Sequence, residues 1–160
     1  MTAKVGDFGL ARMLMVNTDA QTSISSAHVL KGSVGYVPPK YGLGEKPSTA
    51  GDAYSFGVML LELFTGMSPT HESFTVDLNP QRWTQSSFQE NSVKVIDSEL
   101  LQLGEALYHQ GHHLSRKLQF DRLATVIEIG LACTASSPNE RMNMSLFTNT
   151  KLPKTTFLNM

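Results

Sequence analysis

The densest run of apolar positions lies between Ala53 and Phe64, where Ala53, Phe56, Val58, Met59, Leu60, Leu61, Leu63 and Phe64 cover nearly every face. A helix that is apolar all round is a buried one. The pattern predicts such a helix over Asp52 to Met67, with Gly66 as its C-terminal cap and Pro69 just beyond. Phe120, Leu123, Ala124, Ile127 and Leu131 recur at helical spacing and predict a second helix with one apolar face. Between the two, Pro80 to Phe88 and Asn91 to Leu103 read as shorter helices, followed by a polar, His-containing stretch near Tyr108 to Ser115. Residues 1 to 6 read as a short strand, and the polar run from Met13 to Leu30 as a loop. Ser145 to Met160 shows no helical period and is expected to fray. No repeat and no second domain is visible.

Composition narrows the function classes. The chain is 41% apolar and 17% charged, ordinary values for a globular protein of 160 residues. Thirteen Lys and Arg stand against 14 Asp and Glu, a formal charge of -1, so no basic field favours nucleic acid or an anionic membrane. The apolar run Phe56 to Phe64 is interrupted by Glu62 and is far shorter than the ~20 residues a membrane span needs. A single cysteine, Cys133, excludes an internal disulfide and reads as a buried structural thiol. His109, His112 and His113 lack a nearby Cys or acid at ligand spacing, so no metal is expected there.

Four motifs carry the chemistry: Asp7-Phe8-Gly9, Gly35-Tyr36-Val37-Pro38-Pro39-Lys40, Asp52-Ala53-Tyr54-Ser55-Phe56-Gly57 and Pro138-Asn139-Glu140-Arg141. Each is weak alone; their order and spacing match the parts of a protein kinase that follow its catalytic loop. With Lys4 to Arg12 and Gly130-Leu131-Ala132-Cys133-Thr134, the chain resembles plant leucine-rich-repeat receptor-like serine/threonine kinases across residues 1 to 145. Residues 146 to 160 depart from the family as a divergent tail. The resemblance implies a mainly α fold: the C-terminal, large lobe of the protein-kinase-like fold, truncated, with a vestigial β-strand pair at the N-terminus.

What the resemblance implies for single residues follows its motifs. Asp7 matches the Mg²⁺ ligand, and Phe8 and Gly9 the residues that set its loop, so Asp7, Phe8 and Gly9 are the cofactor-side positions for ATP and Mg²⁺. Thr22, Ser23, Ser25 and Ser26 fall in the activation loop and are candidate phosphate acceptors; the plainer alternative is a solvated Ser/Thr-rich loop. Ser33 matches a hydroxyl that helps hold the acceptor substrate, and Tyr36 and Val37 would shape the pocket beside it. Asp52 matches the carboxylate that steadies the catalytic loop, and is equally a favourable residue at a helix start. At Lys40 the family has a Glu that pairs with the Arg matching Arg141. Loss of one partner of a buried pair costs about 3 to 5 kcal/mol.

The family's Gly-rich loop, strand lysine, αC glutamate and H-R-D loop have no counterpart in these 160 residues, and the chain is expected to be a fragment begun at an internal methionine. No complete catalytic set is therefore expected, and weak or no nucleotide binding by these residues alone. The alternatives are a non-catalytic interaction module, partnered by a protein substrate or another kinase, and an unstable truncated product. Without the helix that precedes it in the family, the central helix is expected to leave Phe56, Leu60 and Phe64 partly uncovered. The parent receptor would sit at the plasma membrane with its kinase domain on the cytoplasmic side, and this chain, with no membrane-inserting segment, in the cytoplasm.

Overall fold

A computed structural model describes residues 4, 6, 32–43, 47–75, 77–109 and 116–143. The described residues form four α-helices, α1 (Thr49–Thr65), α2 (Pro80–Val95), α3 (Ser98–His109) and α4 (Arg116–Cys133), with 3-10 turns at Pro39–Leu43 and Pro138–Glu140. Among the described residues there is no strand. The mainly α class holds, and the N-terminal strand pair lies almost wholly outside the described residues.

Helix α1 begins three residues before the expected Asp52. Its N-cap is Ser48, whose Oγ accepts the Gly51 N–H at 3.2 Å, so Asp52 stands in the first turn rather than at the cap. At the other end Gly66 takes a left-handed conformation, φ 71°, and donates its N–H to the Glu62 carbonyl, the capping that the sequence predicts. Asn79 caps α2 by accepting the Arg82 N–H at 2.9 Å, with Pro80 in the first turn where its missing N–H costs nothing. Asn91 interrupts α2 with extended backbone, φ -159° and ψ 94°, and its Oδ1 accepts the Val93 N–H at 3.2 Å. The chain then breaks at Ile96 and Asp97, and Asp97 Oδ1 starts α3 by accepting the Glu99 N–H at 2.9 Å. The Asn91 kink falls where the sequence separates its two short helices, whereas the expected helix from Asn91 to Leu103 is divided at Asp97, whose carboxylate competes for a backbone N–H.

The core is the crossing of α1 and α4. Gly57 lies against Cys133 and Thr134, and Leu61, one turn on, against Gly130. A Cβ on Gly57 would stand 2.7 Å from Cys133 Cβ and 2.9 Å from the Gly130 carbonyl, so the helices approach this closely only because both positions lack a side chain. Leu61, Val95, Ile96 and Ile127 form one buried cluster, with Trp83, Phe88, Phe120 and Leu123 packed around it. Leu60, Ile129 and Cys133 form a second, flanked by Phe56 and Met142.

Two expectations about α1 need correction. Leu60 is buried, not uncovered, since α4 and its Ile129 cover that side. Phe56 and Phe64 are partly buried as expected, and the open face also carries Met59, 45% exposed, and Leu63, 61% exposed, so the helix is not enclosed on all sides by the described residues.

Candidate functional site: the Ser33–Tyr41 segment against α1

Residues 32 to 41 run along α1, meeting it at Gly51, Ser55 and Glu62 and the segment beyond it at Pro69. Tyr36 N–H donates to the Ser33 carbonyl at 3.2 Å, closing a turn between two positive-φ glycines, Gly32 at 145° and Gly35 at 89°. At Gly35 any side chain would be strained, and its Cβ would also meet Pro69 at 2.8 Å. The turn is therefore seated on the segment that follows α1. Ser33 is exposed, and Val34 beside it is 81% exposed.

Tyr36 is the anchor of this segment. Its hydroxyl donates to a carboxylate oxygen of Glu62. That bond, with burial and the nearby negative charge behind it, holds the phenol protonated and pushes its pKa up to about 12. Its backbone carbonyl accepts the Ser55 hydroxyl at 2.8 Å, while Ser55 Oγ also lies 3.2 Å from the Gly51 carbonyl. Pro38 is buried, and Tyr41 N–H donates to its carbonyl at 3.0 Å, opening the 3-10 turn. The Tyr41 hydroxyl accepts the Ser48 N–H at 2.7 Å and occupies the space where a Cβ on Gly51 would fall.

Arg141 closes the site from the far end of the chain. It is 8% exposed, yet its guanidinium is well supplied: Nε donates to the Ala135 carbonyl at 2.9 Å and Nη1 to the Ala50 carbonyl at 3.0 Å. Its guanidinium carbon also lies 5.0 Å from the centre of the Tyr54 ring, within cation–π range. Burial raises the Tyr54 phenol pKa, with the Arg141 charge pulling the other way. Lys40 is half-buried in the 3-10 turn.

Of the residues singled out from the sequence, the structure brings Arg141 to the start of α1, and Ser33 and Lys40 stand in the segment that Tyr36 and Tyr41 fasten to that helix. Asp52 stands exposed in the first turn of that helix. Asp7, Phe8, Gly9, Thr22, Ser23, Ser25 and Ser26 lie outside the described residues, as do His112 and His113. Among the described residues, no group of three or more His, Cys, Asp and Glu could hold one metal ion. Sequence reasoning missed the Tyr36–Glu62 bond, the Ser55–Tyr36 bond and the ring beneath Arg141. One signal for the first was in the sequence: Glu62 is the only charge in an otherwise apolar run, and such a charge needs a partner.

The family model for protein tyrosine and serine/threonine kinases matches residues 1–150. The chain belongs to that family. It is 37% identical over 151 residues to a probable leucine-rich-repeat receptor-like serine/threonine-protein kinase of Arabidopsis thaliana, a match covering 91% of this chain and 14% of the relative. It is 32% identical to the receptor kinase-like protein Xa21 of Oryza sativa subsp. japonica, over 88% of this chain and 14% of that protein. The chain thus spans about one seventh of the length of these kinase relatives. Among solved structures, the pseudokinase domain of BIR2, an immune regulator of the RLK/Pelle family, is 28% identical; the match covers 71% of this chain and 30% of that one, with a TM-score of 0.49. No helix of the kinase segment, among the described residues, is long and apolar enough to cross a membrane.

Proposed function

We propose that these residues form the acceptor-side part of a receptor-like serine/threonine kinase, whose reaction moves the γ-phosphoryl of ATP to a protein hydroxyl with Mg²⁺. The observation that carries this reading is the Ser33–Tyr36 turn fastened to α1 through Tyr36, in a chain whose family match runs through both elements. Phosphoryl transfer is catalysed by positioning and electrostatics, so a fixed surface beside the acceptor hydroxyl is a working part of such an enzyme. In this reading Ser33 touches the acceptor, Asp7 would ligate Mg²⁺ beside ATP, and Thr22, Ser23, Ser25 and Ser26 are the hydroxyls open to regulatory phosphorylation. The kinase segment acts on the cytoplasmic side of a membrane.

On their own the 160 residues are inactive in this proposal, because none of them matches the catalytic-loop Asp or the phosphate-binding Lys of the family. A thermal melt of the purified chain with and without Mg·ATP, paired with a phosphoryl-transfer assay, tests it. The expected result is one cooperative transition at the same temperature in both conditions and no transfer. A melting temperature raised by Mg·ATP would overturn the inactive reading.

A second reading is favoured by one observation, the exposed Met59 and Leu63 on α1: a non-catalytic module that associates through this helix. Sedimentation velocity separates the two. A monomer at tens of micromolar that stays monomeric in Met59→Lys and Leu63→Lys variants speaks against association.

A further inference from the structure

We propose that Ser55 is a positioning residue for the acceptor side of the kinase reaction, holding the backbone of Tyr36 so that the Ser33–Tyr36 turn keeps one place on α1. The inference rests on the reading of that turn given under Proposed function. Ser55 and Glu62 are seven residues apart, two helical turns and roughly 10 Å along the axis, so they lie on one face of α1. They take hold of Tyr36 at opposite ends, Glu62 at the phenol and Ser55 at the carbonyl. A phenol bond alone leaves the backbone free to swing about the side-chain torsions. The glycines on either side of Ser33 and Val34, both at positive φ, add no torsional stiffness of their own, and apart from the Gly35 contact with Pro69 they leave the turn free to shift. The second bond removes that freedom. A serine inside a helix ordinarily returns its single proton to the carbonyl four residues back. Here that acceptor, Gly51, is the more distant at 3.2 Å, and Tyr36 the nearer at 2.8 Å.

The test uses the whole 160-residue chain and two NMR readouts at neutral pH. The first is the Tyr36 ring Cζ resonance, assigned with Tyr36→Phe and calibrated against Glu62→Gln and the urea-unfolded chain. The second is hydrogen exchange of the Tyr36 amide, which donates to Ser33. Ser55→Thr keeps the hydroxyl; Ser55→Val has the same shape without it. Ser55→Val and Ser55→Ala are expected to move the Cζ resonance toward its unfolded value and to speed amide exchange about five- to tenfold, the equilibrium worth of one ordinary hydrogen bond. Ser55→Thr is expected to restore both. Unchanged readouts in a folded Ser55→Val chain would overturn the proposal, since the hydroxyl would then serve only its own helix. So would failure of both hydroxyl-free variants to fold while Ser55→Thr folds, which would make the role structural. Neither readout involves nucleotide, so a failure here is distinct from a failure of the kinase reading.

Discussion

At Arg141 a buried cation is held without any carboxylate among its described bonds. Two carbonyls, from Ala135 and Ala50, and the face of Tyr54 share the charge, tying the start of α1 to the turn beyond α4. Each hydrogen bond to a charged group is worth about 1.5 to 3 kcal/mol, so Arg141→Ala is expected to lower unfolding free energy by about 2 to 4 kcal/mol in a urea titration. Lys40→Glu is expected to add about 1 kcal/mol or less, well below the value of a whole buried pair, because Arg141 already spends two N–H groups on the backbone. A gain of several kcal/mol would show that the carboxylate still captures the guanidinium. Tyr36 gives a second test at this scale. Its pKa is raised above the ordinary value near 10, so the bond to Glu62 stabilises fully below pH 10 and its contribution is lost as pH rises toward about 12. The difference in urea midpoint between the native chain and Tyr36→Phe should therefore shrink across that window; a constant difference would contradict the assignment.

Among the elements, the α1–α4 crossing depends on two small residues. Gly57→Ala puts a methyl group against Cys133 Cβ and the Gly130 carbonyl, and is expected to cost about 1 to 3 kcal/mol although alanine favours helix. An unchanged melting temperature would mean that the helices slide apart freely. Much of this level was legible in the sequence. The spacing of Phe120, Leu123, Ile127 and Leu131 located α4, and Gly66 ended α1 because only a left-handed cap fits there. What could not be read were boundaries decided by side-chain hydrogen bonds: Ser48 rather than Asp52 begins α1, and Asp97 cuts a predicted helix in two. The site was legible as a motif but not as a mechanism of attachment. Tyr36 and Glu62 are 26 residues apart, and no local periodicity brings such a pair together.

For the molecule as a whole, Cys133 reports on integrity. Its side chain has no exposure, and burial raises the thiol pKa. The thiolate is the reactive form, so alkylation by iodoacetamide at pH 8 is expected to be negligible in the folded chain and rapid in urea. Prompt labelling without denaturant would mean that the α1–α4 core opens readily.

The same crossing also sets a timetable. Gly57 meets residues near Gly130, so α1 must wait for roughly 70 further residues before its main partner exists. At a synthesis rate of about 5 to 20 residues per second, that interval is on the order of 4 to 14 s. Throughout it Leu60 and Leu61, destined for the interior, stand beside Met59 and Leu63 on an unpartnered helix emerging from the ribosome. The period in which this chain most needs a chaperone ends only when α4 arrives.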